Sequence, residues 1–216
     1  MDLIWKVSGG EGSVNIFGIL IYTLGFGLLG YLCGSLTPAI WITRLLKGVD
    51  IRDTGSGHAT TTNTIRQAGM GAGAAVFVLD LAKGFLPAWL ALRYAPFAWI
   101  VPLTVGLTVM GHCWPVFAGF RGGMGLATAG GGMLAIQPLG FLIGLGVLVA
   151  LVLVLRHGAR ASVAAGILLT PAMWLVGLRG MVLWAGICAG AVIAFRFLID
   201  WNRQYREVWL DREKPQ

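Results

Sequence analysis

The sequence predicts an all-α integral membrane protein with about seven transmembrane helices, and three observations support this fold class. Of the 216 residues, 57% are hydrophobic and only 12% are charged, and the mean hydropathy is +0.79. Soluble domains carry about 25% charged residues, so the composition excludes an ordinary soluble globule. The apolar residues also form runs that reach the roughly 20 residues a helix needs to cross a bilayer. Finally, the 33 glycines fit closely packed membrane helices, in which small residues let backbones approach.

The first apolar run extends from about Val14 to Leu46 and is predicted to be an interrupted helix. The break falls at Gly34–Pro38, because proline removes a hydrogen bond within a helix and the neighbouring hydroxyl groups can satisfy the carbonyls that are set free. The polar loop that follows is rich in basic residues, namely Arg44, Lys47, Arg52 and Arg66. Short cytoplasmic loops are enriched in Lys and Arg, so this loop is predicted to be cytoplasmic and the N-terminus to lie outside.

A second polar loop, from Gly111 to Gly125, is predicted on the same cytoplasmic side. The apolar segment after it carries Gly130–Gly132 and Gln137–Pro138, so we expect it to divide near Gln137 into two spans that return the chain to the inside at Arg156. Alternatively, the short first part is a re-entrant segment. The other spans are predicted at about Gly71–Leu92, Phe97–Phe117, Ser162–Leu178 and Met181–Ile199.

One membrane domain is predicted for residues 1–216, with a polar N-terminal segment at 1–13 and a cytoplasmic tail from about 200 to 216. The net charge of +7 is explained by the basic cytoplasmic loops, and no contiguous basic stripe indicates a nucleic-acid partner. Three cysteines lie far apart in or beside apolar runs, and three histidines lack the spacing of metal ligands. We therefore expect no disulfide framework, no metal and no cofactor.

The segment from Gly55 to Gly69 contrasts with the rest of the chain, because it is polar, bears glycines and is flanked by Arg52 and Arg66. Its short hydroxyl side chains belong to Ser56, Thr60, Thr61, Thr62 and Thr64. Glycines let backbone N–H groups turn toward a ligand, while hydroxyl and guanidinium groups donate hydrogen bonds to anions. The segment is thus a candidate phosphate site, and the alternative is a solvated loop between two spans.

Two charged residues lie inside the second predicted span. Asp80 and Lys83 are three positions apart, so they share one helical face and can neutralise each other. An ionisable residue within the membrane is a candidate functional residue, because its insertion costs about 3 kcal/mol unless it is paired. The pair is either part of a site or part of the scaffold.

Three ordered blocks of sequence resemble the bacterial acyl-phosphate-dependent glycerol-3-phosphate acyltransferases, a family of small integral membrane enzymes. These blocks are Gly34-Ser35-Leu36-Thr37-Pro38, the segment from Lys47 to Gly69, and the segment from Gly111 to Thr128. The segment Asp80-Leu81-Ala82-Lys83-Gly84 with Pro87 is also similar to a helix of the family. The resemblance is close from Gly34 to Thr128 and elsewhere rests mainly on hydropathy.

The resemblance implies transfer of an acyl chain from acyl phosphate to glycerol 3-phosphate, giving lysophosphatidic acid for phospholipid biosynthesis. It implies a monomeric, multi-pass protein of the bacterial inner membrane, with seven spans, a cytoplasmic site, no metal, and membrane lipid around it. Ser56 and Arg66 are expected to contact phosphate. Arg121 and the backbone N–H groups of the glycines after it are expected to bind a second phosphate or the developing oxyanion. The remaining substrate-binding candidates are Ser35, Arg52, Gly55, Gly57, Thr62, Asn63, Lys83, His112, Gly122, Gly123, Gly125 and Thr128.

Three positions depart from the family pattern. His58 stands where the family has asparagine, Met124 where it has lysine, and Phe197 where it has histidine. His58 is kept as a catalytic candidate that takes the place of the missing imidazole. Loss of the lysine removes a charge-assisted contact worth about 1.5 to 3 kcal/mol. Two alternatives to an active enzyme therefore stay open: a catalytically impaired member that binds lipid or acyl phosphate, and a transporter.

Overall fold

A computed structural model describes residues 16–202 of the chain, which are helical apart from turns and loops. The α-helices of this part of the chain are α1 (Ile16–Gly34), α2 (Pro38–Lys47), α3 (Thr61–Ala68), α4 (Met70–Tyr94), α5 (Ile100–Cys113), α6 (Leu126–Ile136), α7 (Pro138–Leu155), α8 (Gly158–Leu175) and α9 (Met181–Ile199). The all-α membrane class predicted from the sequence is confirmed. The predicted N-terminal segment 1–13, and the predicted tail beyond residue 202, lie outside the described residues.

The described residues contain six helical segments that are long and apolar enough to cross a membrane. These are Ile16–Lys47, Met70–Tyr94, Ile100–Ala118, Pro138–Leu155, Gly158–Leu175 and Met181–Ile199. The seventh predicted span corresponds to α6, which has 11 residues. At 1.5 Å per residue α6 is about 16 Å long, roughly half the thickness of a hydrocarbon core. The count of seven is therefore not confirmed, and α6 forms a half-length segment that precedes α7.

Both predicted helix breaks occur where proline indicated them. Helix α1 ends at Gly34 and α2 begins at Pro38, and between them the Ser35 hydroxyl donates to the carbonyl oxygen of Tyr31 at 2.8 Å. The backbone N–H of Val116 donates to the same hydroxyl at 3.4 Å. Ser35 thus satisfies the end of α1 and attaches it to the second polar loop. The second break is at Gln137, which ends α6 and directly precedes α7.

Close backbone approach at glycines fixes the position of α6 against α4. A Cβ atom at Gly84 of α4 would collide with the carbonyl oxygen of Thr128, and one at Gly131 of α6 would collide with that of Leu81. Neither position has room for a side chain, so the two backbones meet directly. The short helix is thereby held flat against a full-length helix, and the loop that precedes it is held as well.

The two polar loops lie at the same end of the helical bundle, as the sequence predicted. The Ala59 N–H donates to the Gly122 carbonyl oxygen at 3.3 Å, and an Arg52 guanidinium N–H donates to the Ala118 carbonyl oxygen at 2.7 Å. The end of α9 reaches the same place, where Arg196 donates to Gly123. Placement of this end in the cytoplasm stays a prediction from the distribution of charge.

Candidate active site

A cavity of about 390 Å³ opens at the end of the bundle where the polar loops meet. The first polar loop and α3 supply its polar wall, which consists of Ser56, His58, Thr60, Thr61, Thr62 and Arg66. The opposite wall is mostly apolar and includes Met124, Leu126, Leu148, Val152 and Phe197. Asp80, His112 and Ser162 also line the cavity.

The buried side chain of Asn63 organises the first polar loop. Its amide N–H groups donate to the carbonyl oxygens of Ile51, Thr54 and His58, each at 3.1 Å, while its amide oxygen accepts from the Ser56 N–H at 3.3 Å. All donors and acceptors of a buried amide are thus used, which is the condition for burying it without a large penalty. Asn63 therefore holds the loop instead of lining the cavity, and it sets where Ser56 and His58 lie.

Two glycines are required by the path of this loop. Gly55 and Gly57 have φ angles of +54° and +72°, in the region that favours glycine. A Cβ atom at Gly55 would also lie against the side-chain oxygen of Asn63. These glycines shape the loop around Asn63, whereas the substrate contacts expected of them stay predictions.

Arg52 connects the two polar loops through a carboxylate. Its guanidinium group bonds to Asp50 at 2.9 and 2.6 Å, and Arg44 pairs with the same carboxylate. The hydrogen bond from Arg52, with help from Arg44, holds the pKa of Asp50 well below its usual range. Since Arg52 also donates to Ala118, its positive charge is used inside the structure and does not lie on the cavity wall.

The second polar loop differs from the prediction in two respects. We expected Gly123 to offer its backbone N–H to a ligand, but this group donates to the His112 carbonyl oxygen at 3.0 Å. We also expected Arg121 to face a phosphate, but its side chain is exposed, 3.1 Å from Asp53 and 3.0 Å from the carbonyl oxygen of Arg52. Neither residue lines the cavity, whereas Met124 and Gly125 do. The loop reaches the cavity at its last residues, because its first residues are held by internal bonds.

A buried polar cluster lies beneath the two loops. The Lys83 ammonium is 2.8 Å from Asp80 and donates to the Leu36 carbonyl oxygen at 2.6 Å, so the pair predicted from spacing forms. His112 Nδ1 lies 3.5 Å from Asp80 and 3.1 Å from the Thr128 hydroxyl. Lys83 and Thr128 are thus bonded within the protein, whereas Asp80 and His112 also line the cavity. Mutual pairing is what makes these charges tolerable in the bundle.

The end of α9 supplies a second polar connection, which sequence reasoning missed. His58 Nε2 lies 3.2 Å from the Asp200 carboxylate, which is also 3.2 Å from an Arg196 nitrogen. Arg196 in turn donates from Nε to the Gly123 carbonyl oxygen at 3.2 Å. Only the spacing of Arg196 and Asp200, four positions apart, could have indicated this cluster, since His58 is distant in sequence.

The three residues that depart from the family pattern line one cavity. His58, Met124 and Phe197 all belong to its wall, and Met124 and Phe197 are part of the same buried apolar cluster. The departures are therefore neighbours in space. An imidazole at His58 and an apolar surface at Met124 and Phe197 divide the cavity into a polar and an apolar side.

The polar side of the cavity has the chemistry of an anion site. Arg66 supplies a permanent positive charge, and hydroxyl groups and imidazole can donate to phosphate oxygens. The apolar side suits a hydrocarbon chain. An amphiphilic phosphate is therefore the class of ligand that fits both walls.

Comparison with known proteins agrees with this assignment. The family model for glycerol-3-phosphate acyltransferase matches residues 24–207. A glycerol-3-phosphate acyltransferase of Aquifex aeolicus is 38% identical over 181 residues, which cover 82% of this chain and 92% of the relative. That of Myxococcus xanthus is 46% identical over 140 residues, covering 64% of this chain and 73% of the relative.

A solved structure is similar as well. The crystal structure of PlsY (YgiH), an integral membrane glycerol 3-phosphate acyltransferase, in its glycerol 3-phosphate form is 37% identical to this chain and superposes with a TM-score of 0.74. The match covers 84% of this chain and 90% of PlsY. The lysophosphatidic acid form of PlsY gives a TM-score of 0.73. Because the family model spans most of the sequence and the structural match spans most of both chains, this chain belongs to the glycerol-3-phosphate acyltransferase family.

Proposed function

We propose that this protein transfers an acyl chain from acyl phosphate to the 1-hydroxyl group of glycerol 3-phosphate, giving lysophosphatidic acid and phosphate. The reaction takes place at the cytoplasmic face of the bacterial inner membrane. The observation that carries the proposal is a single cavity with a cationic, hydroxyl-rich wall and an apolar wall. Relatives named as acyltransferases do not favour the alternative of an impaired, lipid-binding member.

The polar wall accounts for the phosphate groups of both substrates. Arg66 and the hydroxyls of Ser56 and Thr62 line the same cavity, and the Asn63 side chain holds the backbone of Ser56 in place. A charge-assisted bond from a guanidinium group to phosphate is about twice as strong as a neutral one. We therefore assign phosphate binding to Arg66, with Ser56 and Thr62 as hydroxyl donors.

A second, apolar cavity of about 100 Å³ continues below the first, and the two share Leu126 and Leu148. Four helices line both cavities, and each lines the first cavity with residues nearer the polar end of the bundle and the second with residues farther from it. Helix α8 lines the upper cavity with Ser162 and the lower one with Gly166 and Leu169, and α9 lines them with Phe197 and Ile193. Helices α6 and α7 follow the same order. This continuity supports an acyl chain that extends from the polar site into the membrane interior.

The reaction requires little covalent chemistry from the protein. Acyl phosphate is an activated anhydride, so the acceptor oxygen can attack its carbonyl carbon while the carbon–oxygen bond to phosphate breaks. Holding the two substrates in line and stabilising the developing oxyanion can then supply much of the rate.

Product formation by purified protein tests the proposal. We expect wild-type protein to release phosphate from acyl phosphate and to form lysophosphatidic acid only when glycerol 3-phosphate is present. Ser56→Ala and Arg66→Ala should each abolish or strongly reduce this activity, because they remove groups from the polar wall. Arg93→Ala is the matched control, since Arg93 is exposed at the opposite end of α4. Binding of acyl phosphate without any acceptor-dependent product would contradict the proposal.

The position of the acyl chain can be tested separately on α7. Gly144 lines the lower cavity, and a Cβ atom there would lie 3.1 Å from Leu169, so Gly144→Leu should fill the cavity. We expect this variant to lose activity on long acyl chains and to keep it on short ones. Gly146→Leu adds the same side chain to the same helix where a Cβ meets nothing within 4 Å, and it should not change chain-length preference. An equal loss of activity at every chain length would place the chain elsewhere.

A further inference from the structure

The ion pair beneath the two polar loops has only its negative member on the cavity wall. The Lys83 ammonium is 2.8 Å from an Asp80 carboxylate oxygen, and the two side chains are only 6% and 3% exposed. Asp80 lines the cavity, whereas Lys83 does not. Any effect of Lys83 on a bound substrate therefore acts across Asp80, without direct contact.

The break between α1 and α2 holds Lys83 from the other side. Its ammonium donates to the Leu36 carbonyl oxygen at 2.6 Å. In an uninterrupted helix this carbonyl would accept from the N–H of Ile40, but that N–H donates to Thr37 instead. Lys83 takes the place of the lost helical donor, so its ammonium is fixed between a carbonyl and a carboxylate.

A histidine of α5 contacts the same carboxylate. His112 Nδ1 lies 3.5 Å from Asp80 and 3.1 Å from the Thr128 hydroxyl. Among the described residues, the ion-pair partners of Asp80 are thus Lys83 and His112. A neutral imidazole can donate to a carboxylate without changing its charge, so the charge of Asp80 is balanced by Lys83.

An unbalanced carboxylate would oppose the ligand proposed for this cavity. Phosphate groups carry about −1.5 to −2 charges at pH 7. Like charges repel strongly where water is excluded, and buried charges are screened little by salt. Asp80 with Lys83 is a neutral pair, whereas Asp80 alone would place a negative charge on the wall that Arg66 makes attractive to anions.

We propose that Lys83 is a positioning residue that acts through Asp80, because it holds the carboxylate in place and balances its charge so that the cavity accepts phosphate groups. This inference rests on the proposed function and deepens it, since it concerns the phosphate site assigned to Arg66. The carboxylate can then contact His112 without repelling the substrate. The pair predicted from the sequence is thereby part of the site as well as part of the scaffold.

Three amide variants separate charge from hydrogen bonding. Lys83→Gln removes the positive charge and keeps an N–H donor for Asp80 and Leu36. Asp80→Asn removes the negative charge and keeps an oxygen acceptor. The double variant, Asp80→Asn with Lys83→Gln, removes both charges and leaves two amides that can bond to each other.

Binding of glycerol 3-phosphate to purified protein, measured by calorimetry together with KM, tests the proposal. We expect Lys83→Gln to raise the dissociation constant by about 10 to 100 fold, because it leaves a like charge beside the anion. Asp80→Asn should leave the dissociation constant equal or lower, since an unpaired ammonium attracts phosphate. The double variant should return to within about 3 fold of wild-type protein, whatever its kcat.

A purely structural pair gives a different order of effects. Asp80→Asn would then weaken binding as much as Lys83→Gln does, and the double variant would bind no better than either. Such a result would overturn the proposal. Lys47→Gln is the matched control, because it removes an exposed lysine at the end of α2, outside the cavity, and it should not change the affinity.

Stability is measured separately from affinity. Each single variant leaves a buried charge without its partner, so both should melt at a lower temperature than wild-type protein, and the double variant should melt closer to it. If Lys83→Gln does not fold, Asp80→Asn still decides, since a raised dissociation constant in that variant would overturn the proposal. Absence of lysophosphatidic acid, with affinities in the expected order, would instead refute the proposed function alone.

Discussion

The two polar loops lie side by side, yet they contribute to the cavity in different ways. The first loop presents side chains, among them Ser56, His58 and Arg66, on a backbone that Asn63 holds from behind. The second loop uses its backbone groups mainly for internal bonds, and it contributes to the wall only at Met124 and Gly125. Both loops are rich in glycine, but one presents functional groups and the other supports them.

This difference shows that glycine content alone does not identify a ligand site. In the second loop, a Cβ atom at Gly123 would collide with the His112 ring and would lie 2.6 Å from the Ala59 carbonyl oxygen. The glycine is needed there because three segments of the protein converge. Substitutions in the first loop should therefore lower activity because they remove functional groups. Substitutions in the second loop should lower activity because the added atoms do not fit.

Asn63→Leu should have the largest effect, because it removes the support of the first loop. Three carbonyl oxygens each lose one of their donors and the Ser56 N–H loses the amide oxygen, and each such hydrogen bond contributes about 0.5 to 1.5 kcal/mol. We expect the free energy of unfolding to fall by roughly 3 kcal/mol or more, measured by thermal or denaturant unfolding in detergent. Gln67→Leu replaces an amide on the same helix by the same residue and should change stability by less than about 0.5 kcal/mol. Equal effects of the two changes would show that Asn63 does not hold the loop.

Gly123→Ala tests the second loop by occupying space. The added methyl group would force His112 or Ala59 to shift, and a displacement of about 1 Å near a reacting group can cost about 100 fold in rate. We expect kcat/KM to fall by about that factor while the protein still folds. Gly71→Ala, at a position where a Cβ meets nothing within 4 Å, is the control and should be neutral. A fully active Gly123→Ala enzyme would mean that this loop does not position the site.

Arg66→Gln and Arg121→Gln compare the cationic residues of the two loops directly. Arg66 lines the cavity, so loss of its charge should raise KM for glycerol 3-phosphate or for acyl phosphate by about 10 to 100 fold. Arg121 forms an exposed pair with Asp53, a kind of contact worth about 1 kcal/mol or less, so its substitution should change KM by only a few fold. Steady-state kinetics gives the KM values of the two variants for comparison. The reverse order of effects would assign the phosphate site to the second loop.

The smallest expected effect concerns the connection between the loops through Asp50 and Arg52. The pKa of Asp50 is lowered by Arg52, so the ion pair stabilises the folded protein fully at pH values above the usual aspartate pKa of 3.8. The stabilisation is lost as pH falls below that value toward the lowered pKa. Asp50→Asn should therefore melt at a lower temperature than wild-type protein at pH 7, and the difference should shrink below about pH 4. A difference that persists unchanged in acid would assign it to packing.

The sequence predicted much of the fold, because membrane spans depend on length and hydropathy. Pro38 and Pro138 marked the two helix breaks, and the spacing of Asp80 and Lys83 marked their ion pair. The number of spans could not be obtained in this way. Hydropathy alone does not distinguish the half-length α6 from a full span, and its position depends on the close contact with α4.

The candidate site was predicted less completely, since it depends on tertiary contacts. Ser56 and Arg66 were identified from local composition, and the structure places both on the cavity wall. Arg121 was also predicted to line the cavity, but its side chain pairs with Asp53 instead. A sequence motif does not reveal this contact. The pairing of His58 with Asp200 depends on where α9 ends, and so it emerged only from the folded chain.

One wall of the lower cavity is partly exposed at the surface of the protein, and this affects how the product leaves. Leu145 lines this cavity and is 47% exposed on the surface of α7. On the proposed function, part of the wall around the acyl chain is thus itself exposed at the surface of the helical bundle. Lysophosphatidic acid would pass sideways into the bilayer without its tail entering water, so turnover would depend on lateral diffusion in two dimensions and on the fluidity of the host membrane.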